Sequence, residues 1–233
     1  MELVIISLMS VIVILALGIV LKFNLNNIKL IKHIGKSKEL NEITNALPEN
    51  EQICRDFLKI LKNEDVRIKV GNENSQSSLY IVATNSILIA NIKNTFTRVQ
   101  TIAHECIHSV QDKCLLWFNF IFSNIYLFYF FTITLLALFN KLPEENIFAI
   151  ILLMMSVILY FVRSYIEIDA MTKARFVAKE YMEKNKDLIS ENDINIVVEN
   201  YDKLNEIGIK FYCFKLLFDY LIKVIAFCII AIL

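Results

Sequence analysis

The stretch TIAHECIHSVQD, residues 101 to 112, sets two of the chain's three histidines four positions apart around a glutamate. In a helix that spacing stacks His104 and His108 on one face, one turn apart, as joint ligation of one metal ion requires. Glu105, beside a ligand and unable to share the histidines' direction, is then placed to work as a general base in metal-assisted hydrolysis. From Asn94 onward the pattern is helical. With Val99 at the centre of a helical wheel, Ala103, Cys106, Ile107 and Val110 gather round it, and both histidines fall on the far side. Cys106 projects roughly opposite His108 and is rejected as a ligand despite its place inside the motif.

A third ligand is sought further along, in SYIEIDAMTKARFVAKEYMEK. Here Ala170, Met171, Ala174, Val177, Ala178 and Tyr181 form a stripe at helical spacing, with Glu167 at its head. A carboxylate facing a packed interior is costly unless compensated, and a cation is the strongest compensation. The plainer alternative is a glutamate near a helix N-terminus, favoured by the macrodipole. Asp169, about 200° from Glu167 on the helix, is a candidate for orienting an imidazole. Asp112 is another, although a solvated helix end is its simpler role. His33, Arg163, Tyr165 and Tyr181 are all candidates for stabilising an oxyanion, and spacing does not choose among them.

The elements that must position these residues are set by an unusual composition. Of 233 residues 56% are apolar, with only four glycines and two prolines, which suits a helical membrane protein. Residues 3 to 21 and 115 to 139 carry no charge, each long enough to cross a hydrocarbon core of about 30 Å as a helix. Residues 146 to 162 form a shorter third run, and NKLPEEN before it is a tight turn. A fourth apolar stretch, 211 to 233, is interrupted by Lys215, Asp219 and Lys223, whose four-residue spacing predicts ion pairing along one face. The fold expected is a mainly α membrane protein of about four transmembrane helices. It carries a small cytosolic zincin-like α+β part, built from the HExxH helix and a two- or three-stranded sheet.

The expected boundaries are spans at 1 to 21, 115 to 139, 146 to 162 and 211 to 233. Polar segments fill 22 to 114 and 163 to 210, with a short external turn at 140 to 145. The first run lacks the basic start and cleavage pattern of a signal peptide, so it reads as an anchor. Lysines 22, 29, 32, 36 and 38 follow the first run, and Arg163, Lys173, Arg175 and Lys179 follow the third. This excess of basic residues places both polar segments, and the motif, on the cytoplasmic side. Within them, residues 49 to 62 put Ile53, Phe57 and Leu61 at helical spacing. VRIKV (66 to 70), LYIVA (79 to 83) and ILIA (87 to 90) read as strands, the last two joined by a TNS turn. The exposed edge of that hairpin can hold an extended peptide by strand addition.

Zero formal net charge and the absence of a Gly-rich phosphate loop argue against a nucleic-acid partner. The expected partners are the lipid bilayer and a peptide or membrane-protein substrate. Five cysteines without CxxC spacing read as reduced thiols.

The sequence resembles the YugP-type neutral zinc metallopeptidases, integral membrane proteins of bacteria. AHECIHSVQ at 103 to 111 is similar to that family's AHExGHAxQ, and IEIDA at 166 to 170 to its VEFDA. The order of parts along essentially the whole chain is similar too. The resemblance implies Zn2+ held by His104, His108 and Glu167, with Glu105 as catalytic base. Ile107 replaces the family's glycine, and Met171 stands where a small polar residue is common. An HtpX-type membrane protease shares HExxH between spans, but its ExxAD-like continuation is absent, Met171 occupying the aspartate's place. A non-catalytic zinc-binding membrane scaffold is a further alternative.

Overall fold

Long apolar runs with few helix breakers fold the chain mostly as helix. The structure, a computed structural model, describes residues 1–22, 24–71, 77–90 and 95–233, so Asn94 lies outside the described residues. Its helices are α1 (Glu2–Val20), α2 (Leu25–Ile34), α3 (Lys38–Asn45), α4 (Asn50–Ile60), α5 (Arg98–Val110), α6 (Lys113–Leu138), α7 (Glu145–Lys184) and α8 (Glu191–Ile232). Its strands are β1 (Arg67–Val70), β2 (Leu79–Ile81) and β3 (Ser86–Ile89). The residues group into two compact units. One comprises Met1–Asn24, Trp117–Tyr165 and Lys210–Leu233, and the other Leu25–Leu116 and Ile166–Ile209.

In the first unit α1, α6 and α7 are long and apolar enough, by length and composition, to cross a membrane. Only 6%, 17% and 28% of their most apolar windows is buried within the protein, so internal packing does not account for that apolar character. The 211 to 233 stretch, expected as a fourth span, is the end of α8 and does not reach the same measure, being broken by Lys215, Asp219 and Lys223. The ion pair that their spacing predicts is formed, with Lys215 Nζ 2.5 Å from Asp219. Tyr126, Leu152, Leu159, Val224 and Phe227 lie in the core of this unit. The Tyr126 hydroxyl accepts from Ser156 at 3.1 Å and donates to the Tyr220 carbonyl at 3.4 Å, satisfying a polar group among apolar neighbours. The turn between α6 and α7 is as tight as NKLPEEN implies, closing through left-handed Asn140 (φ 53°) and Glu144 (φ 47°).

The second unit holds the sheet. β2 and β3 pair antiparallel, Tyr80 opposite Ile87, and the chain reverses through a short 3-10 turn and Asn85 at φ 46°, a left-handed position that asparagine tolerates. β1 joins β3 in parallel, giving the order β1-β3-β2 with β3 central. Ile53, Cys54, Phe57 and Leu58 of α4 and Val99, Ile102, Ala103, Cys106 and Ile107 of α5 fill the core of this unit. Val110, expected on that inward face, is exposed at the last turn of α5.

Arg98 opens α5 and is buried, at 6% exposure. Its guanidinium donates to the carbonyls of Thr44, Leu47 and Pro48 and to the side-chain oxygen of Asn50, at 2.8 to 2.9 Å. Three of these acceptors are carbonyls of the last turn of α3 and the loop into α4, where a helix end leaves carbonyls short of partners, and the Thr44 carbonyl also accepts the Leu47 N–H at 3.2 Å. Burial pulls the guanidinium pKa down, and the charge is held by neutral dipoles alone among these four contacts. Arg98→Ala removes four hydrogen bonds in a dry site, so it should cost about 3 kcal/mol or more of stability. The check is a lowered thermal unfolding midpoint. Arg98→Lys should recover only part of the loss, since one ammonium cannot reach a fork of four acceptors.

Candidate metal centre

α5 delivers both histidines to one face, as the four-residue spacing requires, and α7 delivers Glu167. His104 Nε2 and His108 Nε2 are 3.0 Å apart, and Glu167 Oε2 lies 3.3 Å from the first and 3.8 Å from the second. The three form a group whose ligand atoms can hold one ion. Atoms arranged tetrahedrally at about 2.1 Å from a common ion are about 3.4 Å apart, and the observed separations bracket that value. The side chains are 11% to 20% exposed, so the group is largely but not wholly shielded from solvent. Two imidazoles and one carboxylate form a donor set of the kind that divalent transition metals accept.

The ring of His108 is held from behind. Its Nδ1 is 2.8 Å from Gln111 Oε1, while Gln111 Nε2 donates at 2.8 Å both to the Ile166 carbonyl and to Asp169 Oδ2. With the amide nitrogen serving two acceptors, the amide oxygen must accept, so His108 carries its proton on Nδ1 and turns the Nε2 lone pair toward His104 and Glu167. Burial, then the neighbouring His104, holds the His108 pKa below its ordinary value, which favours the neutral form that metals bind. Gln111 reaches back because α5 ends at Val110 and residue 111 is extended (ψ 165°). Burial pushes the Asp169 carboxyl up, but the Gln111 and Lys173 donors outweigh it and hold the pKa below the usual value. Asp169 therefore acts on the histidine through Gln111 and not by direct contact. Asp112 takes the simpler of its two roles, capping α6 by accepting from the Leu115 N–H at 3.0 Å.

Glu105 is not one of the three converging groups. Its Oε2 accepts the Tyr80 backbone N–H at 2.7 Å, joining α5 to strand β2. The carboxyl is pushed up to about 7, chiefly by burial, while His104 and the Tyr80 N–H pull it down and Glu167 pushes it up. Because β2 is an edge strand, the Tyr80 N–H is one of its outward donors. Glu105 has taken it, so strand addition at this residue is left with the Tyr80 carbonyl. Tyr80 is further fixed through its hydroxyl, which accepts from Lys113 Nζ at 2.7 Å and donates to Asn85 Oδ1 at 2.9 Å.

The other residues singled out from sequence fall as follows. Cys106 Sγ packs 3.6 Å from Cys54 Sγ in the core, away from the histidine face. Tyr181 is buried against Phe57 at 5.1 Å between ring centroids, and fourteen residues of helix, roughly 21 Å, separate it from Glu167. That distance removes it as an oxyanion donor. His33 lines a cavity beside Lys36, Ser37 and Asn200. Arg163 donates to the Tyr212 hydroxyl at 3.2 Å, and Tyr165 is exposed.

Comparison of the chain with protein-family models, with curated proteins and with solved structures finds no match. The chemistry of the centre rests on its own geometry.

Removing the Gln111 amide frees the imidazole to rotate and to change tautomer. Gln111→Ala should weaken any metal binding at this group about 10- to 100-fold, as loss of a group behind a metal ligand does. Adding Asp169→Asn to that variant should then cost little more, since Asp169 reaches His108 only through Gln111. Chelator competition on the single and double variants reads the coupling, and fully additive losses would contradict the relay.

Proposed function

We propose that the chain is a membrane-embedded zinc metallopeptidase, similar to the YugP-type neutral zinc metallopeptidases, that hydrolyses peptide bonds with Glu105 as general base. The observation that carries this reading is the convergence of His104 Nε2, His108 Nε2 and Glu167 Oε2 at separations matched to one small ion. The three helices long and apolar enough to cross a bilayer support the membrane setting, and the basic residues after the first and third apolar runs favour a cytoplasmic site. The substrate is a peptide or membrane-protein segment.

Zinc, when bound in such a donor set, polarises a carbonyl and lowers the pKa of water toward about 7. Glu105 removes a proton from the attacking water as its oxygen bonds to the scissile carbon. It then delivers that proton to the leaving nitrogen as the C–N bond breaks, giving one carboxyl and one amine product. The Tyr80 N–H fixes one oxygen of the base, which sets the direction of the other. Gln111 keeps the His108 lone pair aimed forward, and the Glu167 carboxylate supplies the negative charge of the ligand set.

Two measurements test this. Glu105→Gln should keep its zinc and its fold while losing nearly all hydrolysis of an unfolded protein substrate, because the ligands survive and the base does not. Full activity in that variant would exclude the mechanism, and zinc binding without activity in the unmodified protein would favour a scaffold. Glu167→Ala should lower zinc affinity by orders of magnitude, leaving two imidazoles on an open-sided site, whereas Asp169→Asn should weaken it by only about 10- to 100-fold. Zinc content after dialysis against graded chelator separates the two. A site emptied by Asp169→Asn but loaded in Glu167→Ala would make Asp169 the ligand.

A further inference from the structure

The apolar unit contains a cavity of mixed charged and apolar lining that the hydrolytic chemistry does not use. It measures about 200 Å³, far more than a single bound water needs, and is walled by α6, α7 and α8. Arg163, Lys215 and Lys223 line it against one carboxylate, Asp219. Three cations beside apolar helices are costly to keep, so their grouping at one cavity demands an account. Ion pairing along α8 covers only part of it. Asp219 is occupied by Lys215 at 2.5 Å. Lys223 reaches back one turn to the Asp219 backbone carbonyl at 2.7 Å and lies over the Tyr220 ring at 5.8 Å. Arg163 is partnered by neutral hydroxyls alone, its Nε donating to that of Tyr212 and its guanidinium also meeting that of Tyr220. Among the described residues neither Lys223 nor Arg163 has a carboxylate at ion-pairing distance, so the cavity retains an excess of positive charge.

Two further features describe what would neutralise it. Ser123, which lines the wall from α6, has a buried hydroxyl with no hydrogen-bond partner among the described residues. Leu127, Leu159 and Leu216 complete the lining with apolar surface. Cations, an idle hydroxyl and three leucines around one cavity suit a ligand that is anionic at one end and apolar at the other. A free inorganic anion would use the cations and leave the leucines without a role.

We propose that this cavity among α6, α7 and α8 binds the phosphate-bearing headgroup of an anionic phospholipid, with Arg163, Lys215 and Lys223 as its cationic contacts. Basic pockets between transmembrane helices recognise lipid headgroups in this way, each cation adding a modest increment. The assignment rests on the membrane reading of the chain and is independent of the metal centre.

The test uses the full chain purified in detergent, with native mass spectrometry counting lipids retained from a mixture of phosphatidylglycerol and phosphatidylcholine. Phosphatidylglycerol should be retained preferentially, and Lys223→Gln or Arg163→Gln should each weaken that retention about fivefold. Lys223→Arg should restore it, which separates loss of charge from loss of fold, and circular dichroism checks the helix content of every variant. Equal retention of the two lipids, or unchanged retention in both glutamine variants, would overturn the proposal. Displacement of the lipid by inorganic phosphate at comparable concentration would reassign the cavity to a free anion. Resistance of the protein to alkaline extraction from membranes is measured alongside, so that failure of the membrane reading is told apart from failure of the lipid site.

Discussion

The amide of Gln111 ties the helix that carries both imidazoles to the helix that carries the third ligand. Its oxygen accepts from His108, and its nitrogen donates to a carbonyl and a carboxylate of α7, so one planar group sets ring orientation, tautomer and helix-to-helix register together. Without such a tie the site opposes itself, because lone pairs and a carboxylate brought within 3.0 to 3.8 Å of one another repel unless a cation or a shared proton lies among them. The polypeptide has to bring these atoms together before any ion can reward it. Gln111 does so at low cost, since an amide stays neutral at every pH and both its ends are satisfied.

Arg98 performs the matching task at the other end of α5. A helix aimed by its C-terminal contacts alone would pivot, and the histidine face would swing with it. Arg98 grips carbonyls at the end of α3 and in the loop entering α4, so the first turn of α5 is fixed to the segment whose helix, α4, packs along it. Midway between these anchors Glu105 joins α5 to β2 through the Tyr80 N–H. The motif helix is thus held at its start, middle and end by three different polar contacts, each made with a separate part of the chain. Its buried face of Val99, Ile102, Ala103, Cys106 and Ile107 supplies most of the attraction, but apolar packing alone tolerates small rotations that these directional bonds do not.

Much of this was legible in the residue pattern, and the gaps have physical causes. Spacing placed His104 and His108 on one face, and the stripe headed by Glu167 turned that carboxylate toward a packed interior. The strands and the Asn85 turn followed from β-rich runs with a turn residue between. The parallel pairing of β1 with β3 did not, because residue alternation says which face is buried and nothing of which neighbour is paired. Arg98 carries no sequence signal, because an arginine at a helix start is ordinarily solvated and most of its acceptors here are backbone carbonyls from about 50 residues earlier. Gln111 stood inside the quoted AHECIHSVQ motif, yet its role depends on an extended backbone at position 111 that no helical wheel describes. The Tyr80 contact with Glu105 uses a main-chain N–H, which every non-proline residue has and no sequence marks.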